Sequence, residues 1–227
     1  IAYDKTMFTL NKCLVHSCKN LSLSVFNKMN DITEERGYCL NHTPDPGRAK
    51  KSIYDYITTH DTIVGLNASG IIFRDIDLSN KRFYGCNFQH CTFTDLRSEG
   101  LRAKLCMFDF ATFADCTLTG STVQFTSFAC CTFSHTIFTG SDMVQNNFNG
   151  VQAFQSSFDD SDLYNSRFIG ARLVDTSLRN CNIKNTLFLE CTCENVSMKM
   201  SNTREAVFDR KGSELFQGIE SKNRVPV

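Results

Sequence analysis

The sequence predicts an all-β solenoid, in which square coils of backbone stack along one axis, and three regularities point to it. Stepping by five from Phe73 to Phe208 visits 28 positions without an insertion or deletion. Of these, 26 are hydrophobic, Ser98 and Thr203 being the exceptions, although hydrophobic residues make up only 41% of the chain. All seven glycines between 70 and 210 (Gly70, Gly85, Gly100, Gly120, Gly140, Gly150 and Gly170) lie two residues after a step of that series. Stepping by twenty from Phe88 gives Phe108, Phe128, Phe148, Phe168, Phe188 and Phe208.

Each regularity fixes one element. Helix side chains return after about 3.6 residues and strand side chains after two, so a period of five belongs to a very short extended segment followed by a corner. Gly, Asn and Asp tolerate a positive φ. Asn80, Asp95, Asp115, Asp160, Asn165, Asp175, Asn180, Asn185 and Asn195 share the glycine phase, so the corner falls there. Four pentads close a twenty-residue coil and set like residues above like. Coils spaced as strands in a sheet, ~4.8 Å apart, make seven coils a rod of roughly 30–35 Å. Phe93, Phe113 and Phe133 predict a second, shorter ladder.

Seven of the twelve cysteines (Cys86, Cys91, Cys106, Cys116, Cys131, Cys181 and Cys191) share one phase with Ser, Ala and Thr. There cysteine reads as a small buried filler, which suits a reducing cytoplasm better than a disulfide scaffold. Cys86 and Cys106 would stack closely enough to oxidise. The stretch "TDLRSEGLRAKLCMF" departs from the pattern, with Ser98 and Ala103 at the central positions and Leu96 and Leu101 in the small-residue phase. It is either a locally distorted coil, whose leucines fill the missing phenylalanine space, or a protruding recognition segment carrying Arg97, Arg102 and Lys104.

"CNFQHCTFTD", "GSDMVQNNFNG" and "SFDDSDLYNSRFIGARL" resemble the pentapeptide-repeat family over about residues 71–210. The resemblance implies a right-handed quadrilateral β-helix and carries almost no information about activity. Some members of the family, including those linked to quinolone resistance, act as acidic DNA mimics that bind DNA gyrase.

The remaining segments follow in order. Residues 1–46 hold Cys13, Cys18, Cys39 and His42, two ligand pairs on separate turns with soft donors of the kind that bind tetrahedral zinc. Gly37, Cys39 and His42 make the layout similar to small zinc-knuckle modules with a Gly-x-Cys-x-x-His turn. His16 is a rival ligand, and the alternative is three reduced cysteines in a small core. Four protein ligands would make the zinc structural rather than catalytic. Residues 47–70 are read as a capping helix and linker, because Ile53, Tyr54 and Ile57 share one helix face. The coils themselves span 71–210. Residues 211–227, with Leu215, Phe216 and Ile219, would form a C-terminal cap or a dimer contact.

Composition narrows the function. Lys+Arg and Asp+Glu are both 24, so no global field favours nucleic acid or membrane, and no apolar run is long enough to span a bilayer. His90 and His135 fall at outward corners with no carboxylate beside them in the sequence reading, and Asp159, Asp160 and Asp162 read as turn chemistry; no active site emerges. Three outward apolar pairs break the polar surface: Val144 with Tyr164, Ile169 with Leu189, and Phe154 with Val174. The leading expectation is therefore a non-catalytic scaffold that binds another protein through this surface. A gyrase-binding DNA mimic is the alternative, although 15 acidic and 13 basic residues over 71–210 are too balanced for a convincing one. Nucleic-acid binding by the front module has only the scattered Lys5, Lys12, Lys19 and Lys28 behind it.

Overall fold

The structure, a computed structural model, describes residues 10–209. The rod is a parallel β-solenoid of about seven turns. Pairing between coils joins residues twenty apart throughout, as in Phe73↔Phe93, Phe93↔Phe113 and Phe113↔Phe133. Four faces repeat. The first contains the strands Thr62–Val64, Arg82–Tyr84, Arg102–Lys104 and Thr122–Gln124, continued by single bridges to Asp142, Asp162 and Asn182. The third is a seven-stranded sheet running from Ile72–Arg74 to Thr192–Glu194. The second and fourth are held mainly by isolated bridges.

Every fifth residue from Gly65 to Met200 has a positive φ, which is the corner predicted from the glycine phase. The corner is stricter than the sequence shows, since Leu105, Phe110 and Phe125 adopt it too, at φ 56°, 61° and 53°. Bulky side chains rarely take this conformation; the hydrogen-bonded coils on either side impose it.

Inside the square, the rings at Phe88, Phe108, Phe128, Phe148, Phe168, Phe188 and Phe208 stack with centroids 4.7–5.2 Å apart and planes within 14°. A second ladder, Phe73, Phe93, Phe113 and Phe133, stands beside it and meets it edge-on or tilted, as in Phe88–Phe93 and Phe128–Phe133. Mixed stacked and edge contacts of this kind suit the aromatic quadrupole.

The small-residue phase does more than fill space. The Cys91, Cys131 and Cys181 thiols donate to the carbonyls of Ala68, Phe108 and Phe158 at 3.1, 2.9 and 3.1 Å. Ser161, Thr136 and Thr186 donate in the same way to Phe138, Phe113 and Leu163. Side chains of this phase also accept from the backbone amide one coil away, as Ser161 Oγ does from Ser141 N at 3.0 Å and Ser166 Oγ from Asn146 N at 3.0 Å. Some of these buried groups, such as the Phe138 carbonyl and the Ser141 amide, are met by the short polar side chain, while the Ala68, Phe108 and Leu163 carbonyls also accept from the amides of Ile71, Ala111 and Ser166. All twelve cysteines are free.

The departure at Ser98 and Ala103 does not protrude. Arg97–Glu99 pairs with Thr117–Thr119, and Arg102–Lys104 pairs on both sides. Leu96 and Leu101 are buried. A cavity of about 20 Å³, lined by Leu96, Leu101, Ala103, Phe83 and Phe108 among others, marks the missing rings. The Ser98 hydroxyl is buried without a hydrogen-bond partner.

The coil starts earlier than the expected boundary at residue 71, because Thr62–Val64 already pairs with Arg82–Tyr84. Helix α1, Pro46–Thr59, is capped by the Asp45 carboxylate, which accepts from Arg48 N at 2.9 Å. It buries Ile53, Tyr56 and Ile57, while Tyr54, expected on that face, is half-buried, with its hydroxyl accepting from Arg74 N at 2.8 Å. The expected C-terminal cap with Leu215, Phe216 and Ile219 lies outside the described residues.

Two substitutions separate these roles. Phe148→Ala should lower unfolding stability by about 3–5 kcal/mol in a denaturant titration, since the neighbouring rings cannot collapse into the gap. Ser161→Ala should cost about 1–3 kcal/mol because it orphans the Ser141 amide and the Phe138 carbonyl, whereas Ser98→Ala should cost nothing or stabilise.

Candidate metal centre

The front module is two short pieces of chain brought together. An antiparallel bridge between Lys12 and Leu21 closes a hairpin that carries Cys13 and Cys18. The second piece is the turn after Gly37, in which the amides of His42 and Thr43 both donate to the Cys39 carbonyl at 3.0 Å. Backbone bonds from Leu14 N to Gly37 O and from Leu23 N to Tyr38 O, at 2.9 and 3.0 Å, lay the turn against the hairpin. Gly37 is required for packing: a Cβ there would lie 2.7 Å from a Val25 methyl. The amide that approaches a sulfur is that of Cys39, which donates to Cys13 Sγ at 3.4 Å.

The donor atoms of Cys13, Cys18, Cys39 and His42 all lie within 4.8 Å of one another. Cys39 Sγ is 3.3 Å from His42 Nδ1, Cys13 Sγ is 3.5 Å from it, and Cys18 Sγ is 3.9 Å from Cys39 Sγ. A tetrahedron with zinc-length bonds has edges of about 3.3–3.8 Å, so these four residues could hold a metal ion. His16 is exposed and stands outside the cluster. The Asn20 amide reaches Cys39 Sγ at 3.9 Å.

The thiols of the cluster differ from those of the rod. Burial pushes the Cys13 thiol up, but hydrogen bonds from the Cys39 and Val15 amides and from the His42 and Cys39 side chains outweigh it and bring the group down to about 6. At Cys18 the Asn20 amide pulls down, but burial and the neighbouring sulfurs of Cys39 and Cys13 win, and the thiol is raised. In the rod, burial raises Cys91 and Cys191 to about 12 and Cys116 and Cys181 to about 11. Clustered thiolates repel, and a dication is the natural counter-charge.

Residues 147–185 match the family model for pentapeptide repeats, in 8 copies. Over those residues the coils of the solenoid carry the pentapeptide-repeat pattern. Among solved pentapeptide-repeat structures, one from the cyanobacterium Cyanothece 51142 is 14% identical, covering 63% of this chain and 91% of its own, with a TM-score of 0.40. QnrB1, a plasmid-mediated fluoroquinolone resistance protein, is 15% identical over 66% of this chain and 84% of its own, with a TM-score of 0.43. A pentapeptide-repeat protein from the Arabidopsis thaliana thylakoid lumen is 19% identical over 59% and 70%, with a TM-score of 0.24. No match was found among curated proteins.

The surface of the rod differs from the sequence expectation in two respects. Of the six apolar residues expected to form a partner surface, only Tyr164 is exposed, while Val144, Phe154, Ile169, Val174 and Leu189 are half-buried. They also fall on three different faces, two to each, and form no single patch. Several exposed apolar side chains lie elsewhere, among them Leu105, Phe110 and Phe125; their signal was their place in a corner phase otherwise rich in Gly, Asn and Asp. Second, His135 does have a carboxylate beside it. Its ring nitrogens contact Asp115 Oδ1 at 3.0 Å and Gln155 Oε1 at 2.6 Å, one coil to either side. Both members of the ion pair are solvated, and no nucleophile completes the group among these contacts. No helix among the described residues is long and apolar enough to cross a membrane.

Two measurements check these assignments. In metal-free protein at pH 7, iodoacetamide should modify Cys13 well before Cys91 or Cys181, read by mass spectrometry of peptides. Hydrogen bonds that the ring donates to the Gln155 and Asp115 side-chain oxygens raise the His135 pKa above its usual value. The ion pair with Asp115 is therefore fully formed below pH ~6.5 and fades as pH rises through the raised value. Asp115→Asn should move the NMR titration of His135 downward.

Proposed function

We propose that the chain is a non-catalytic interaction scaffold, a rigid pentapeptide-repeat rod whose first coil is capped by a structural zinc module. The observation that carries the cap is the convergence of three cysteines and one histidine, whose donor atoms all lie within 4.8 Å of one another. With four protein ligands a zinc ion is fully coordinated, which leaves no position for substrate and assigns it a structural role. The module it would hold together is small, and its attachment to the rod is specific. Ser24 N donates to Asn67 O at 3.0 Å, Asn67 N to Ser24 Oγ at 2.8 Å, and Asn67 Nδ2 to Ser22 O at 2.6 Å. These bonds occupy the edge that the first coil would otherwise leave unpaired. Leu23, Ile53 and Ile57 belong to the same apolar core as the phenylalanine ladders.

Support for the scaffold role comes from the rod itself, whose described interior is packed with rings and whose polar groups lie on flat, solvent-facing strands. An open cleft of about 410 Å³ between the module and the second face, lined by Lys19, Asn41, Gln89 and His90 among others, adds a concave feature at the capped end. The gyrase-mimic reading gains nothing from the surface, where Arg82, Arg102 and Lys104 interrupt any continuous acidic stripe.

Protein purified without chelators should contain about one zinc per chain by elemental mass spectrometry. Cys39→Ser should lose it and expose residues 10–45 to trypsin while the β signature of the rod persists. Zinc-free wild-type protein with an intact, protease-resistant module would remove the cap from the proposal. Tyr164→Asp, at the one residue of the expected surface that is exposed, should reduce co-purification of a partner protein without changing zinc content.

A further inference from the structure

The first face carries an ordered charge pattern. Its residues preceding the central position stack as Thr62, Arg82, Arg102, Thr122, Asp142, Asp162 and Asn182. Two arginines lie on one side of Thr122 and two aspartates on the other, at equal distances. Within one chain this order is unfavourable, since like charges on adjacent strands repel and Arg102 is two coils, ~10 Å, from Asp142. The ion pairs among the described residues are Lys81–Asp61, His135–Asp115 and Lys184–Glu205, so none of these four charges is paired. Asp142 Oδ1 is buried without a hydrogen-bond partner and its other oxygen accepts from the Gln124 amide at 2.6 Å, while Asp162 Oδ1 accepts from Tyr164 N and Asn182 Nδ2 at 2.9 and 3.0 Å.

The only change needed is to reverse the order, and the same face turned end over end supplies it. A two-fold axis lying in the face, along the strand direction through Thr122, keeps each residue's position across the face and inverts the sequence of coils. It sets Arg82 against Asp162 of a second copy and Arg102 against Asp142, twice over by symmetry. The neighbouring row, Val64, Tyr84, Lys104, Gln124, Val144, Tyr164 and Lys184, then meets its own reverse with Tyr84 against Tyr164, Lys104 against Val144, and no like charges opposed. Phe125 meets its own copy near the axis. Leu105 and Phe125 stand at this edge, 52% and 47% exposed, in a left-handed conformation that bulky residues avoid. A contact that covers them gives their presence a purpose. Elsewhere single opposed pairs occur, Arg74 with Glu194 about Ser134 and Glu99 with Arg179 about Thr139, but only the first face carries two like charges on each side of its centre.

We propose that the first face is a self-complementary surface on which a second copy of this chain packs antiparallel. The inference is independent of the metal cap. Sedimentation equilibrium of the full chain at low salt should show a dimer that dissociates as salt rises. Arg102→Asp should weaken it at least about tenfold, as should Phe125→Asp, which alters an exposed side chain and leaves the fold intact. The double variant Arg102→Asp with Asp142→Arg should restore dimerisation, because the swap rebuilds both pairs. A monomer at ~100 µM, a dimer indifferent to Arg102→Asp and Phe125→Asp, or a failure of the swap to rescue would overturn the proposal. A monomer that instead binds an oligonucleotide through Arg82 and Arg102 would overturn it in favour of nucleic acid.

Discussion

The structure depends on one coincidence of distances. Parallel strands repeat every ~4.8 Å, and aromatic rings stack comfortably at nearly the same spacing. A phenylalanine that recurs every twenty residues therefore meets the next ring and lets the backbone pair in the same step, as the separations of 4.7–5.2 Å show. A single twenty-residue coil has too little interior to form a core of its own, so each coil is stable only between neighbours. Where the ring is missing the backbone still keeps register, and the deficit appears as a small cavity beside Ala103 rather than as a change of path.

This mode of stabilisation has an open end. The last coil on each side would present ring faces and unpaired peptide groups to water. At the front the chain answers with three devices: a backbone segment from Ser22 to Ser24 hydrogen-bonded to Asn67, the Tyr54 ring tilted against Phe73 with centroids 5.0 Å apart, and α1 with its apolar face on the core. The cysteine–histidine cluster lies in the same piece of chain. Order in the cluster and order at the cap are thus coupled, since the hairpin that carries Cys13 and Cys18 leads directly into the capping segment.

The fold was legible because its rule is local and repeated. Phe88 to Phe208, the corner phase and the coil length can all be counted from the sequence, and the Cys–Cys–Cys–His grouping was visible from spacing and donor type alone. What escaped was information carried between coils. That Cys91 and Ser161 donate to a carbonyl 23 residues earlier, rather than merely being small, depends on which peptide groups the corner brings beside them. That His135 sits by Asp115 requires pairing two corners of one edge. The exposure of the expected surface residues escaped for a related reason: residues flanking a central position are half-covered by their own stacked neighbours, so Val144 and Ile169 lose exposure to the residues above and below them. Leu105 and Phe125 stay exposed because they occupy the corner itself.

The separation between interior and surface also decides where function can be written. Inside, every position is constrained by the residue one coil away, and variation costs packing or hydrogen bonds. Outside, the two flanking rows of each face are free of that constraint, and what distinguishes one face from another is the order of residues along the rod. A row such as Arg, Arg, Thr, Asp, Asp leaves the coil unchanged, yet it gives the face polarity, and polarity determines which second surface can lie against it and in which direction. In a rod of this kind recognition resides in sequences read at intervals of twenty, and no single exposed side chain carries it.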